Sequence, residues 1–280
     1  MKQRVLTGTL IFVLTVLLII FSGYIVYPIT LSLLSLIAVF ELLRVMGVEK
    51  KLFVALPAYI LSAAFPMIAY FVKNDAFLLY LLALAAAMFV YMLLLMGYGV
   101  FSRGKVPFAK IAEIFTSVTY VTVAFSSLSL MRYLDEKVGI FVIALVFIVS
   151  WACDTGAYFV GMLFGKHKLI PEISPKKTVE GAVGGVVIAT LAYLLFGFVL
   201  DSFIPDLKVN YLFLGIAGVL LSIASQLGDL VASLIKREYG VKDYGNLFPG
   251  HGGILDRFDS TISVSTLLMI LCTVFHPFAF

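Results

Sequence analysis

The sequence has 280 residues, of which 62% are hydrophobic and 13% are charged, with a formal net charge of +4. A mean hydropathy of +1.11 and so little charge exclude a water-soluble globular protein, because soluble domains need a charged exterior. The charged residues cluster between apolar runs of about 20 residues, the length of helix that spans a bilayer. The sequence therefore predicts an all-α polytopic integral membrane protein.

The apolar runs predict nine transmembrane helices. Their limits are roughly 5–22, 25–46, 52–72, 76–100, 107–131, 138–163, 179–200, 211–234 and 257–275. The basic start and the apolar run to Phe21 have features of a signal peptide, but the run is long for one. We therefore expect a first transmembrane helix there. The chain is interpreted as a single membrane domain, with an N-terminal helical scaffold (1–137) and a C-terminal catalytic part (138–280).

The distribution of Lys and Arg predicts the orientation in the membrane. If the N-terminus is cytoplasmic, fifteen of these residues fall on the cytoplasmic face, four fall on the other face, and Lys110 lies inside a span. This asymmetry follows the positive-inside rule. Because the number of spans is odd, the C-terminus is expected on the opposite face.

Cysteine and histidine usage limits the metal chemistry. Cys153 and Cys272 both lie in apolar runs and are too few for a disulfide framework or a zinc cluster. The three histidines show no spacing typical of a transition-metal site. Any bound metal is therefore expected to be a hard cation held by oxygen.

Acidic residues in three spans belong to polar stripes. A carboxylate at the centre of a membrane helix costs about 2.5–3.5 kcal/mol, so each one needs a reason. In the eighth span, Asp229 shares an arc of roughly 80° with five other polar residues. Asp256 and Asp259 open the ninth span on one helix face, and Asp154 has a similar stripe in the sixth. The stripes consist of Ser222, Ser225, Gln226, Asp229, Ser233 and Lys236; of Asp256, Asp259, Ser260 and Ser263; and of Ser150, Asp154 and Tyr158.

Asp229 and Asp256 are the predicted metal ligands. Helices joined by a short loop pack antiparallel, so the eighth and ninth spans can turn their polar faces towards each other. Mg²⁺ is typically held by one or two carboxylates, together with water and substrate phosphates. We therefore expect Mg²⁺ at this pair and leave a second cation open. The alternative is that these acids pair with Lys236, Arg237 and Arg257 near the membrane interface.

The predicted cytoplasmic loops at about 164–178 and 235–256 are longer than the others and rich in Gly, Pro, Lys and His. At the end of the first, Thr178 can cap the seventh span, and Lys176 and Lys177 place two positive charges beside the free N–H groups of its first turn. This arrangement can bind a phosphate. The alternative is that the two lysines only anchor the helix. Gly181, Gly184 and Gly185 are expected to allow close helix packing.

The second long loop and its flanks combine four cations, a histidine, a His-Gly-Gly turn and two acids. Glycines let backbone N–H groups approach an anion, so this composition predicts a polyphosphate and metal site. The segment from Ser233 to Asp259 resembles the signature of the phosphatidate cytidylyltransferase family, including its P-x-H-G-G-x-x-D-R-x-D motif. Upstream, Asp154 to Phe159, Gly165 to Lys168 and Ser174 to Gly181 are also similar to family segments.

The resemblance implies that CTP reacts with phosphatidic acid to give CDP-diacylglycerol and pyrophosphate, at the cytoplasmic face of a bacterial inner membrane. The phosphate monoester of phosphatidic acid has its second pKa at about 6, so this nucleophile is largely ionised at neutral pH and needs no general base. The enzyme then has only to position the two substrates and neutralise their negative charge. CTP, phosphatidic acid and membrane lipids are the expected partners, nucleic acid is not, and a homodimer is left open.

Residue roles follow from the resemblance together with the stripes. Asp229 and Asp256 are expected to bind Mg²⁺, and Asp259 and Asp154 to support it or share a second cation. His251 either donates to the departing pyrophosphate or shapes the glycine-rich turn. The expected catalytic residues are Asp229, Asp256, Lys236, Arg237, His251 and Asp259. The expected substrate-binding residues are Ser174, Lys176, Lys177, Thr178, Asp154, Lys242, Gly252, Gly253 and Arg257.

The sequence leaves two other functions open, those of a lipid kinase and of a transporter. A CTP-dependent lipid kinase would use similar phosphate chemistry on a lipid alcohol and release CDP. A transporter would explain nine spans and intramembrane acids, but its site usually lies near the bilayer midplane, whereas the polar residues here crowd towards one membrane face. A purely structural scaffold would have no need for buried acids.

Overall fold

The computed structural model describes residues 2–72, 76–133, 135–248 and 250–280, with side chains from residue 8 onward. Within these ranges the chain forms nine α-helices, whose ends agree with the predicted spans within four residues. They are α1 (Lys2–Ile20), α2 (Val26–Val45), α3 (Leu52–Ile68), α4 (Phe77–Phe101), α5 (Phe108–Tyr133), α6 (Gly139–Phe164), α7 (Val179–Phe203), α8 (Tyr211–Glu238) and α9 (Leu255–Val274). Eight are long and apolar enough to cross a membrane, and α1 adds the apolar stretch Gly8–Ile20. The all-α polytopic membrane fold is confirmed.

Two short antiparallel strand pairs accompany the helices. Strands β1 (Lys168–Ile170) and β2 (Ser174–Thr178) form a hairpin immediately before α7, in the segment predicted only as a loop. Strands β3 (Lys208–Val209) and β4 (Phe278–Ala279) tie the C-terminal segment to the connection between α7 and α8. The hairpin thereby holds the two predicted phosphate-binding lysines in an extended backbone.

Side-chain caps set the start of two helices. The backbone N–H of Gly181 donates to the Thr178 hydroxyl at 3.1 Å, which confirms the predicted cap of α7. At α8, the N–H of Phe213 donates to the Asn210 side chain at 3.0 Å. Each cap satisfies an N–H group that the helix itself leaves without a partner.

The chain divides into two compact units. The first unit comprises residues 1–136 and 241–257, and the second comprises 137–240 and 258–280. The long loop before α9 therefore belongs to the same unit as α1–α5, although it is distant from these helices in sequence. The interpretation of the whole chain as one membrane domain stays a prediction.

Buried tyrosines tie the helices of the first unit together. The hydroxyl of Tyr27 donates to the Leu128 carbonyl at 3.1 Å, and that of Tyr91 donates to the Val54 carbonyl at 3.2 Å. Both side chains are almost fully buried. Because apolar surroundings leave no water for a phenol, each hydroxyl needs such a protein acceptor.

Close contact between α6 and α7 organises the second unit. A Cβ atom at Gly181 would lie 2.7 Å from the carbonyl oxygen of Ala157, and one at Gly185 would lie 2.9 Å from that of Cys153. Only glycine leaves room for the facing backbone at these positions. The predicted role of these glycines in helix packing is confirmed.

Candidate active site

An ion pair links the hairpin to α8 in the second unit. Nζ of Lys177, near the end of β2, lies 2.5 Å from a carboxylate oxygen of Asp229, and both side chains are about one-quarter exposed at 26% and 28%. The hydroxyl of Ser233, one turn further along α8, lies 3.5 Å from the other oxygen of Asp229. Asp229 therefore forms an ion pair with a lysine that lies 52 residues away in the sequence.

Three carboxylates of the second unit influence one another. Asp259 on α9 is half-buried and experiences repulsion from Asp229 and from Asp154 on α6, partly offset by attraction to Lys236. Asp154 is exposed. Among the described residues, no group of three or more His, Cys, Asp or Glu side chains is arranged to hold a metal ion. Mg²⁺ often takes only one or two protein carboxylates, so the acid cluster fits such a cation when substrate phosphates and water complete its shell.

The remainder of the polar stripe on α8 serves helix packing. The Gln226 amide donates to the carbonyl of Ala182 on α7 at 3.0 Å and contacts the Cys153 sulfur on α6 at 3.4 Å. Cys153 in turn contacts the carbonyl of Ser222 at 3.6 Å. Ser222 and Ser225 are fully buried. The charged residues of the stripe are therefore Asp229 and Lys236, with the Ser233 hydroxyl beside Asp229.

Helices α8 and α9 approach each other at Gly228. A Cβ atom there would lie 2.7 Å from the carbonyl oxygen of Asp259 and would overlap the Ser263 side chain. This contact places the backbone of Asp259 and the side chain of Ser263 against α8 at the residue before Asp229. Gly228 lies outside the polar arc of α8, so the packing of the two polar faces against each other stays a prediction.

The hairpin and the start of α7 are held by an acid. Glu180 accepts hydrogen bonds from the backbone N–H groups of Lys166 at 3.1 Å and His167 at 3.2 Å, and its carboxylate lies 2.6 Å from the His167 ring. The N–H of Gly181 is already donated to Thr178. A phosphate at the N-terminus of α7 would therefore meet the Glu180 carboxylate there. The predicted phosphate site therefore rests on the lysines.

The other predicted residues around the hairpin lie as follows. Ser174 begins β2 and is half-buried, while Lys176 is exposed. Arg237, also exposed, donates to the carbonyl of Ile173 at 3.3 Å and so joins the end of α8 to the hairpin. Arg237 thus has a structural contact beside its predicted catalytic role.

In the first unit, Asp256 closes the loop that precedes α9. One of its carboxylate oxygens accepts the backbone N–H of Tyr244 at 2.7 Å and that of Gly253 at 3.0 Å, and the residue is only 6% exposed. Gly252 has a φ of +81°, and a Cβ atom there would lie 2.6 Å from the same oxygen. The buried Asp256 carboxylate therefore holds the loop in its conformation through backbone hydrogen bonds.

Two of the three backbone N–H groups of the His-Gly-Gly turn, which was expected to let N–H groups approach an anion, already have partners within the loop. His251 donates its N–H to the Phe248 carbonyl at 2.9 Å, and Gly253 donates to Asp256. The next two N–H groups, of Ile254 and Leu255, are also donated within the unit. Three of these four N–H groups, those of Gly253, Ile254 and Leu255, donate to carboxylates of the protein itself. Substrate contacts of Gly252 and Gly253 stay a prediction.

Glu41 on α2 is the residue that sequence reasoning missed. It is 3% exposed, and its two carboxylate oxygens accept the N–H groups of Ile254 at 3.1 Å and Leu255 at 3.0 Å. One helical turn later, Arg44 donates to the Tyr244 carbonyl at 2.6 Å. The signal was present in the sequence, since an acid within an apolar span carries the same energetic cost as Asp154 and Asp229.

His251 lies in the same loop. Its Nδ1 atom is buried without a hydrogen-bond partner among the described residues. A Cβ atom at Gly8 of α1 would lie 3.7 Å from its Nε2 atom, so α1 passes close to the ring. Lys242 and Arg257 are exposed.

The predicted site residues are therefore distributed over both units. Lys177, Asp229, Asp154, Asp259 and Lys236 come together in the second unit. His251, Gly252, Gly253 and Asp256 come together in the first. A shared metal between Asp229 and Asp256 stays a prediction.

Comparison with known proteins gives a consistent result over nearly the whole chain. The model of the cytidylyltransferase family matches residues 2–275. A phosphatidate cytidylyltransferase of Bacillus subtilis is 39% identical over 280 residues, covering 98% of both chains. Enzymes of the same name from Staphylococcus epidermidis and Staphylococcus aureus are 39% and 38% identical, covering 97% of this chain and 98% of each relative.

Proposed function

The chain belongs to the cytidylyltransferase family, and we propose that it catalyses the formation of CDP-diacylglycerol from CTP and phosphatidic acid. The observation that supports this proposal is the similarity to relatives named phosphatidate cytidylyltransferase, at 38–39% identity over nearly their full length. The chain is thus a nucleotidyltransferase of phospholipid synthesis with several membrane-spanning helices.

In the proposed reaction, a phosphate oxygen of phosphatidic acid attacks the α-phosphorus of CTP. The bond from that phosphorus to the oxygen bridging to the β-phosphorus breaks, and pyrophosphate leaves with this oxygen. The nucleophile is already ionised at neutral pH, so the protein needs to position two polyanions and neutralise their charge. Lys177 and Lys236 are suited to this task, because each lies beside carboxylates and can move to a phosphate.

The proposed cofactor is Mg²⁺, with Asp229 as its principal ligand in the second unit. Repulsion among Asp229, Asp259 and Asp154 would be relieved by a cation, and Lys177 supplies a positive charge at Asp229 in this structure. Asp256 is the further ligand that the sequence predicts. When bound, Mg²⁺ would offset the negative charge of the CTP phosphates.

The proposed location is a bacterial cell membrane, with the reacting groups on the cytoplasmic side. The support is the distribution of Lys and Arg, which places fifteen on one predicted face and four on the other. CTP would then arrive from the cytoplasm and phosphatidic acid from the bilayer. A protease or thiol-labelling experiment on intact cells would test this orientation.

A direct assay tests the activity. Purified protein in detergent micelles is incubated with phosphatidic acid, Mg²⁺ and CTP labelled in the cytidine, with and without a chelator. We expect a labelled lipid and free pyrophosphate only when the chelator is absent. A lipid kinase would instead leave the label in soluble CDP, and a transporter would leave CTP unchanged.

A further inference from the structure

We infer that Glu41 is a positioning residue for the transfer reaction, acting through the loop that contains His251 and Asp256. This inference rests on the proposed function. It assigns a task to α2, a helix that lies outside the segments on which the sequence resemblance was based.

Glu41 binds the loop backbone with both of its carboxylate oxygens. Its two oxygens accept two successive backbone N–H groups, those of Ile254 and Leu255, where α9 begins. These donors would otherwise lack a partner at the helix start. Because the acceptor comes from another helix, the start of α9 is fixed to α2 and does not depend on its own side chains alone.

The loop is shaped around this carboxylate. A Cβ atom at Gly245 or at Gly253 would overlap the Glu41 carboxylate, so both glycines leave the space that it occupies. Gly253 also donates its N–H to Asp256, whose carboxylate lies close enough to Glu41 for the two to repel each other. The orientation of Asp256 therefore depends on a contact that Glu41 maintains.

A second tie lies one turn along α2. Arg44 donates to the Tyr244 carbonyl, and the N–H of the same residue donates to Asp256. The two ends of the loop are thus attached to one helix, and Asp256 lies between the attachments. A role limited to helix packing would need neither a charged pair on α2 nor contacts that end on the loop backbone.

The test compares Glu41→Gln with the matched control Glu113→Gln, which alters an acid on α5 that pairs with Lys110. Glutamine keeps one acceptor oxygen but places an NH₂ group against the second N–H. Hydrogen exchange followed by mass spectrometry on the full-length protein should show exchange in the segment 252–257 faster by about tenfold or more. The control should match the wild type.

The kinetic arm uses the same two variants. For Glu41→Gln, kcat for cytidine-lipid formation should fall by about tenfold while the KM values for CTP and phosphatidic acid stay unchanged, since the Glu41 carboxylate is buried and both of its oxygens are bound to the loop backbone. Unchanged exchange in 252–257 overturns the inference, as does faster exchange with unchanged kcat. If the wild-type protein forms no cytidine lipid, the proposed function fails, whereas the exchange result still decides whether Glu41 fixes the loop. If Glu41→Gln does not insert, Arg44→Gln tests the second tie with the same measurements.

Discussion

Asp256 and Asp229 are predicted to do the same task, yet the two units hold them in different ways. In the first unit, Asp256 is buried and bound by two backbone N–H groups of its own loop. In the second unit, Asp229 is partly exposed and bound by the side chain of a lysine. Backbone donors cannot leave without unfolding the loop, whereas a lysine side chain can rotate away.

This difference indicates that the two units have different tasks in the proposed reaction. The loop of the first unit is a fixed framework, in which carboxylates organise backbone. The cluster of the second unit is an exchangeable set of charges, in which Lys177 can leave Asp229 when a cation and phosphates arrive. Partly buried ion pairs of this kind contribute little net stability, which makes them suitable for exchange.

The largest effect is expected from Asp256→Asn, which attacks the fixed framework. Asparagine removes the negative charge, which weakens both hydrogen bonds that one carboxylate oxygen accepts from Tyr244 and Gly253. We expect normal membrane insertion but a turnover reduced by about 100-fold or more, because both the proposed metal ligand and the loop are weakened. Cytidine-lipid formation measured over a range of Mg²⁺ concentrations checks this. Rates near those of the wild type at saturating Mg²⁺ would show that the metal assignment of Asp256 is wrong.

A smaller and different effect is expected from Lys177→Gln, which attacks the exchangeable cluster. Without its lysine, Asp229 should bind Mg²⁺ more readily, so the Mg²⁺ concentration at half-maximal activity should fall. The KM for CTP should rise by about tenfold, because one phosphate-binding cation is lost. Steady-state kinetics with varied Mg²⁺ and CTP separates the two changes. If the Mg²⁺ requirement is the same as in the wild type, Lys177 does not compete with a cation at Asp229. Lys208→Gln, which alters an exposed lysine of the same unit outside the predicted site, provides the control.

Gly253→Ala should have an intermediate effect on stability and a loop-specific effect on activity. The added methyl group would overlap the Glu41 carboxylate, and such overpacking typically costs about 1–3 kcal/mol. We expect a lower melting temperature and slower turnover, both measured on purified protein in detergent. Gly97→Ala on α4 is the matched control, because a Cβ atom there meets nothing within 4 Å. Equal behaviour of the two variants would mean that the loop can move away from Glu41 at no cost.

Much of the fold could be predicted because a bilayer imposes it. Apolar runs long enough to cross the hydrocarbon must form helices, since no water is present to satisfy their backbone groups, and all nine appear in the part of the chain that the structure describes. The hairpin of β1 and β2 could not be foreseen. Its sequence, rich in Pro and Lys, lacks strand periodicity, and its strands are defined by their pairing with each other.

The site was harder to predict because its contacts join distant parts of the chain. The acids were visible in the sequence, but the lysine that pairs with Asp229 lies 52 residues away, and periodicity favoured nearer bases. Glu41 was visible too, as an acid in an apolar span. Its partners lie 213 and 214 residues away, so neither helical spacing nor the family signature near α9 pointed to it.

The smallest effect is expected from Thr178→Ala, which changes neither acid. Loss of this cap should cost about 1 kcal/mol, or a melting temperature lower by about 2–4 °C, while Thr178→Ser should behave like the wild type. Since the cap lies next to Lys177, activity distinguishes two roles for the hydroxyl. A turnover unchanged at temperatures well below melting indicates that Thr178 only starts α7. A higher KM for CTP in the alanine variant, restored by serine, would mean that the hydroxyl also contacts the substrate, and the exchangeable cluster would then extend to the start of α7.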